Sequence, residues 1–255
     1  MRTFCLTTLA ILGYASAALA VPITPTFDTF GDLPGATFGG TGIPTDPVAI
    51  TTIIVGGDTI TLGMSAHARF ANPTVTDDGL GTYTAATGSN FGDPTFGTMP
   101  SADLGATWNV GSFIDIAGGG TFDDYSFEFV YDFDPGVATD ESLHGLLDLN
   151  AGIVAGMGPP LGTLTHFESS ENLLFPFLAT PTPGVIAPPT PGAFNPNALG
   201  EYTIALVAKD SGGTEIGRSA IRVLAVPEPS SMFLLASGAL GLCGYTRRKR
   251  RQSDA

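Results

Sequence analysis

The chain is short of cysteine, of positive charge and of uninterrupted helical pattern, and each shortage excludes something. Its two cysteines, Cys5 and Cys243, both lie in the terminal segments. The stretch between them therefore has no disulfide, no thiol nucleophile and no thiolate metal ligand. Ten Lys and Arg face 24 Asp and Glu over the whole chain. From Val21 to Val226 the imbalance is steeper. Only Arg69, Lys209, Arg218 and Arg222 lie there, against 22 acids (all but Glu228 and Asp254), a net charge of −18. Such a surface repels nucleic acid and anionic lipid, which removes both as partners, while it suits cations and keeps a protein soluble. No G-x-S-x-G elbow and no H-E-x-x-H helix occurs, so the common hydrolase signatures are missing. Gly118-Gly119-Gly120 precedes a strand pattern rather than a helix, which removes the phosphate-loop reading. His67, His144 and His166 stand far apart without neighbouring ligands and read as ordinary surface or packed histidines.

What is present is alternation. The 34 Gly and 20 Pro break up helical windows, and the apolar residues between them recur with a period of two. Ile60, Leu62, Met64, Ala66, Ala68 and Phe70 share one face, which leaves His67 and Arg69 on the opposite, wet face. Val48–Val55 precedes this run and joins it through Gly56-Gly57-Asp58, a hairpin signal. Tyr125–Phe133 (YSFEFVYDF) places Tyr125, Phe127, Phe129, Tyr131 and Phe133 on one side, and burial of each ring contributes on the order of 1.5–3 kcal/mol. This predicts a central strand with a buried aromatic ridge. Trp108–Ile116 and Gly81–Ala85 add strands. Glu201–Lys209 and Ile216–Ala225 form a last hairpin around Asp210-Ser211-Gly212-Gly213. Strands at this spacing, separated by Gly, Pro and Asp turns, predict an all-β antiparallel β-sandwich over residues 21–226. The closing GEYTIALVAKD strand resembles the last hairpin of immunoglobulin-like bacterial surface domains, which implies an immunoglobulin-like arrangement. Asn150–Gly162 reads as a loop. Pro176–Pro196 reads as a stiff extended segment crossing the sandwich, because the hairpin after it is too small to fold alone.

Site candidates in the middle of the chain are few. In DFDPGVATDE, Asp132, Asp134 and Asp140 could offer oxygens to a structural Ca2+. The spacing departs from an EF-hand loop, however: Gly136 falls at position five and Leu143 at position twelve. A strand end with a Pro-Gly turn and water-facing acids is the favoured reading. Asp77-Asp78 and Asp123-Asp124 read first as turn residues. Phe91, Phe96 and Phe122, in Gly-rich loops, are the aromatics best placed to stack on a sugar.

The two ends carry the clearest instructions. Arg2, the apolar Phe4–Ala17 and the small-x-small site Ala18-Leu19-Ala20 predict a signal peptide spanning residues 1–20 and cut before Val21. At the other end come Pro227, Glu228 and Pro229, then the uncharged Met232–Tyr245, then Arg247, Arg248, Lys249, Arg250 and Arg251. As a helix the uncharged run reaches about 21 Å, short of the roughly 30 Å hydrocarbon core, so it spans only a thinned bilayer with help from its flanks. The basic block keeps that end cytoplasmic. The combination over residues 227–251 resembles the PEP-CTERM sorting signal of Gram-negative bacteria. That resemblance implies a membrane exosortase as transient partner, cleavage at the motif, and delivery to the cell surface or the exopolysaccharide matrix. A non-enzymatic surface or matrix protein is therefore the first expectation. A carbohydrate-binding module is the second, and a secreted hydrolase built on two carboxylates is the least favoured.

Overall fold

Alternation becomes strand nearly everywhere it occurs. The computed structural model describes residues 21–70, 73–90 and 105–228; the two ends predicted for export and sorting lie largely outside them. In chain order the elements are β1 (Thr29–Gly31), β2 (Val48–Val55), β3 (Asp58–Ala68), β4 (Thr76–Asp77), β5 (Thr82–Ala86), β6 (Ser89–Asn90), β7 (Gly105–Ala106) and β8 (Trp108–Ala117). Then follow β9 (Tyr125–Tyr131), β10 (Gly145–Asp148), the helix α1 (Leu149–Ala155), β11 (His166–Glu171), β12 (Ile186–Ala187), β13 (Gly200–Asp210) and β14 (Glu215–Val226). Five strands form one sheet in the order β1-β2-β3-β8-β11, and seven form another in the order β12-β10-β9-β13-β14-β5-β4; β6 pairs with β7.

The two large sheets share one core. Ile60, Leu62, Met64, Val110 and Ile114 from the smaller sheet meet Phe127, Phe129, Tyr131, Ile204 and Ile221 from the larger in a single cluster. The hairpin signal at Gly56-Gly57 holds: both glycines have positive φ (61° and 97°), and Val55 pairs with Asp58. All five aromatics of the ridge are buried, with Phe127 and Tyr131 at 0 % exposure. Four of them lie on β9, an interior strand between β10 and β13, and Phe133 follows just beyond its end. In the last turn, Asp210 Oδ1 accepts from Gly212 N and Thr214 N, both at 2.9 Å.

Several expectations need correction. The larger sheet is mixed rather than wholly antiparallel, because β5 runs parallel to β14. Both strands finish at the same end of the molecule: Thr87 N donates to Val226 O at 2.8 Å. The alternation of β3 stops at Ala68, and Phe70 has φ 52° and is 51 % exposed instead of continuing the inner face. Residues 150–162 are not all loop. Asp148 caps α1 by accepting from Ala151 N at 2.8 Å. Asn150 ties the helix to the ridge, accepting from Phe127 N and donating to Phe122 O and Tyr125 O. The proline-rich segment does pack on the fold as one body with it: Leu178 and Phe194 are buried, and β12 pairs with β10.

The largest departure concerns the outer faces, which alternation alone labels wet. An arm of residues 32–47 covers the outer face of the five-stranded sheet, where Leu33, Ala36 and Phe38 pack on Val48 and Phe113. Glycines make the room. A Cβ on Gly63 would lie 2.6 Å from Leu33, and one on Gly111 would lie 2.7 Å from the Phe38 ring. The arm is pinned by Glu168, whose Oε2 accepts from Thr37 N at 2.6 Å and from Thr37 Oγ1 at 2.9 Å. His67, stacked by Phe38 of the arm, and Arg69, set against Gly105 and the Phe175 ring, were expected to face water and are buried at 5 % and 9 % exposure. The chain from Val21 does the same for the larger sheet. Ile23 packs there with Val130, Ala205, Val207 and Ala220, and Thr26 bridges to Ala220.

Candidate functional site

The acids singled out as calcium ligands serve the protein's own backbone. Asp132 sits on the outer face of β9's continuation at 1 % exposure, not in water. Its Oδ1 accepts from Asp134 N at 2.8 Å, and its Oδ2 lies 3.8 Å from His144 Nε2. Burial pushes its carboxyl above the ordinary carboxylate range. Asp134 Oδ1 accepts from Gly136 N at 2.9 Å. Asp140 faces elsewhere: Oδ1 accepts from Ser142 N at 2.9 Å and Oδ2 from Val21 N at 3.2 Å, 119 residues away in sequence. The Ser142 donors hold its carboxyl below the usual range. Among the described residues, no three His, Cys, Asp or Glu side chains converge as a metal site. The three histidines are split. His67 and His144 are packed inside, whereas His166 is partly exposed between Asp115 and Glu168. Of the three loop phenylalanines, Phe91 and Phe96 lie outside the described residues. Phe122 is core, 1 % exposed and 4.6 Å from the Phe127 ring, so it is not a free stacking platform.

Among the described residues, a site that alternation missed is a cleft of about 510 Å3 between the arm, the end of β3 and the β4–β5 hairpin. That volume falls within the roughly 300–1,000 Å3 usual for small-molecule pockets. Ile43, Pro44, Pro47 and Val75 line the cleft beside Arg69 and Asp77. Its polar lining residues His67, Asn109 and Ser170 join a chain of neutral groups that runs behind the wall to Asn172. Asn172, at 0 % exposure, accepts from Ala106 N and donates to Ala106 O, Trp108 O and Asn109 Oδ1. With its oxygen so engaged, Asn109 turns its Nδ2 to Ser170 Oγ at 2.8 Å. Ser170 Oγ lies 3.0 Å from His67 Nε2. Burial pushes His67 down to about 4, so the ring is neutral at physiological pH. The Ser170–His67 pair superficially suggests a hydrolytic dyad. But His67 Nδ1 has no hydrogen-bond partner, so no carboxylate orients the ring, and a base so weakened accepts a proton poorly. On the rim, Phe70 stands exposed with the Arg69 guanidinium 4.8 Å from its ring centre; the same guanidinium lies 5.3 Å from the Phe175 ring.

This cleft lies at the end of the molecule from which the C-terminal segment leaves. Arg69 N donates to Thr107 O at 2.9 Å, Thr107 N donates to Gly88 O at 3.2 Å, and Thr107 Oγ1 donates to Ala86 O. Ala86 pairs with Val226, the last residue of β14. Ala225 is buried, Pro227 exposed and Glu228 half-buried. Pro229, the uncharged run and the basic block lie outside the described residues, as do the signal-peptidase residues Ala18 and Ala20. Among the described residues, no helix is long and apolar enough to cross a membrane.

Comparison with known families identifies one segment. Residues 225–251 match the PEP-CTERM protein-sorting motif. No curated protein and no solved structure matches the chain.

Proposed function

From a chain that ends in a PEP-CTERM sorting motif, we propose a non-enzymatic protein of the cell surface or exopolysaccharide matrix, released from its membrane segment by an exosortase. The motif itself marks an exosortase-targeted, exported protein. The observation that carries the rest is where the motif begins. Its first two residues, Ala225 and Val226, are the end of an interior strand, and Pro227 then leaves the sheet exposed. Proline lacks the N–H a continuing strand would need, so the fold stops at the motif. A cut beyond Pro227–Pro229 removes the uncharged run and the basic block and leaves every described strand intact.

Three further features support this reading. The signal peptide proposed for residues 1–20 ends where Val21 begins to pack: Val21 N donates to Asp140 Oδ2, and Val21 O accepts from Glu141 N. Cleavage before Val21 turns that nitrogen into an ammonium beside a carboxylate, which strengthens the contact. The net charge of −18 suits a soluble protein in a hydrated matrix. Cations of this region are paired with its acids: Lys209 with Glu128, Arg218 with Glu141 and Glu215, and Arg222 with Glu201. The immunoglobulin-like assignment rests on the β13–β14 hairpin alone.

The intact mass of the protein recovered from envelope and culture matrix tests the proposal. Loss of both Met1–Ala20 and the segment beyond Pro229 is the expected result. A mass that retains the chain through Ala255 would make it a permanently anchored membrane protein and would overturn the release step.

A further inference from the structure

We propose that the cleft bounded by Phe70, the arm and the β4–β5 hairpin is a binding site for a neutral saccharide, held by hydroxyl and amide contacts and by stacking on Phe70. No feature of the sorting motif bears on this site, so the two proposals stand or fall separately.

The first ground is Phe70 itself. A bulky residue in the left-handed region is an outlier, and such strain persists only where the surroundings enforce it, which is most often at a functional site. Here φ is 52°, and the result is a ring turned out of β3's alternation onto the rim of the cleft. The Arg69 guanidinium holds the ring from one side, so its position costs little further ordering when a ligand arrives. An exposed aromatic face is electron-rich at its centre and attracts the slightly positive C–H face of a sugar ring.

The second ground is the chemistry of the wall. Ser170, Asn109 and His67 line the cleft, and burial holds His67 neutral. Thr41 from the arm and Thr74 from the segment before β4 add exposed residues with hydroxyls to the lining. Groups that both donate and accept match a ligand whose periphery is hydroxyl, and Ile43, Pro44, Pro47 and Val75 of the same lining suit the C–H faces of its rings. The orientation of the wall is fixed from behind: Asn172 sets Asn109, and Asn109 sets Ser170. A site whose contacts are locked by buried hydrogen bonds loses less on binding than a surface loop does.

The third ground is charge. A protein carrying −18 between residues 21 and 226 repels polyuronates and sulfated glycans. Arg69 and Asp77 both line the cleft, so its own charges offset and the surrounding −18 favours the neutral members of the class.

Saturation-transfer difference NMR on the full-length chain tests this, with cello-, laminari- and manno-oligosaccharides as probes and oligogalacturonate as the charged comparison. The expected result is transfer to the C–H protons of at least one neutral probe, weakened tenfold or more in Phe70→Ala. Ser170→Ala should weaken it several-fold, and Ile54→Ala, an exposed apolar residue on β2, should not change it. Phe70 is on the surface, so its loss leaves the core untouched, and Ser170→Ala gives a second reading that does not depend on it. No transfer from any neutral probe would overturn the proposal. So would transfer equal to wild type in both cleft variants, or transfer from oligogalacturonate alone.

Discussion

His67 makes the fold sensitive to acid in a way that can be worked out from its surroundings. The ring is enclosed between β3, Phe38 of the arm and Ser170 of β11, and its exposure is 5 %. Burial lowers its pKa from 6.5 to about 4. The unfolded chain therefore binds a proton at His67 before the folded one does, and protonation pulls toward unfolding. The contribution is fully present above the unfolded value of 6.5 and is lost as the pH falls through the window between 6.5 and 4. At 1.36 kcal/mol per unit, the loss reaches about 2.5 kcal/mol by pH 4.5 and about 3.4 kcal/mol below pH 4. Other groups act in the opposite sense. Burial raises the carboxyls of Asp132 and Glu171, so these take up protons more readily in the folded state as the pH falls. The measurement must therefore be a difference. Urea unfolding of wild type and His67→Gln at pH 7.5 and pH 4.5 isolates the one group, since Gln does not titrate. Wild type should lose about 2.5 kcal/mol more than the variant over that interval. Parallel pH profiles would refute the reasoning, as would an NMR titration placing the His67 imidazole near 6.5.

Two further perturbations probe the remainder of the molecule. Phe129 is 1 % exposed within the shared core, stacked on Tyr131 at 5.8 Å between ring centres, so Phe129→Ala should cost about 3–5 kcal/mol in chemical denaturation; a near-neutral result would mean the ridge is not packed as described. Millimolar Ca2+ should raise the melting temperature no more than Mg2+ at matched ionic strength, because the carboxylates of Asp132, Asp134 and Asp140 already accept backbone hydrogen bonds. A shift specific to Ca2+ and abolished by Asp134→Asn would revive a metal site there.

The strands, the aromatic ridge and both large hairpins were legible from the chain, because a period of two states which residues share a face of a strand. The sorting segment was legible for a different reason: it is contiguous, and its turn, apolar run and basic block are read in order. The same period is silent about what lies over each face. His67, Arg69 and Asp132 alternate like solvent-facing residues, yet Phe38 of the arm lies on His67, Phe175 against Arg69 and His144 beside Asp132, while the segment from Val21 covers Val130 and Ala205. Those covering segments are too irregular to show a pattern, and they are held by contacts such as Thr37 to Glu168 and Val21 to Asp140 that span more than a hundred residues. A small trace of each was available. Gly63 and Gly111, mid-strand where a side chain would be expected, mark where another segment approaches, and Asp148 marks the start of α1. The cleft left no such trace. It is assembled from the arm, β3, the β4–β5 hairpin, β8 and β11, and no two of those five pieces announce their proximity in sequence. By itself, then, the sequence determined that the chain carries a sorting motif, how acidic it is and which residues pair into strands. The tertiary structure alone decided which polar groups are taken out of water and where an aromatic is turned back into it. Both outcomes depend on long-range coverage, which local periodicity does not encode.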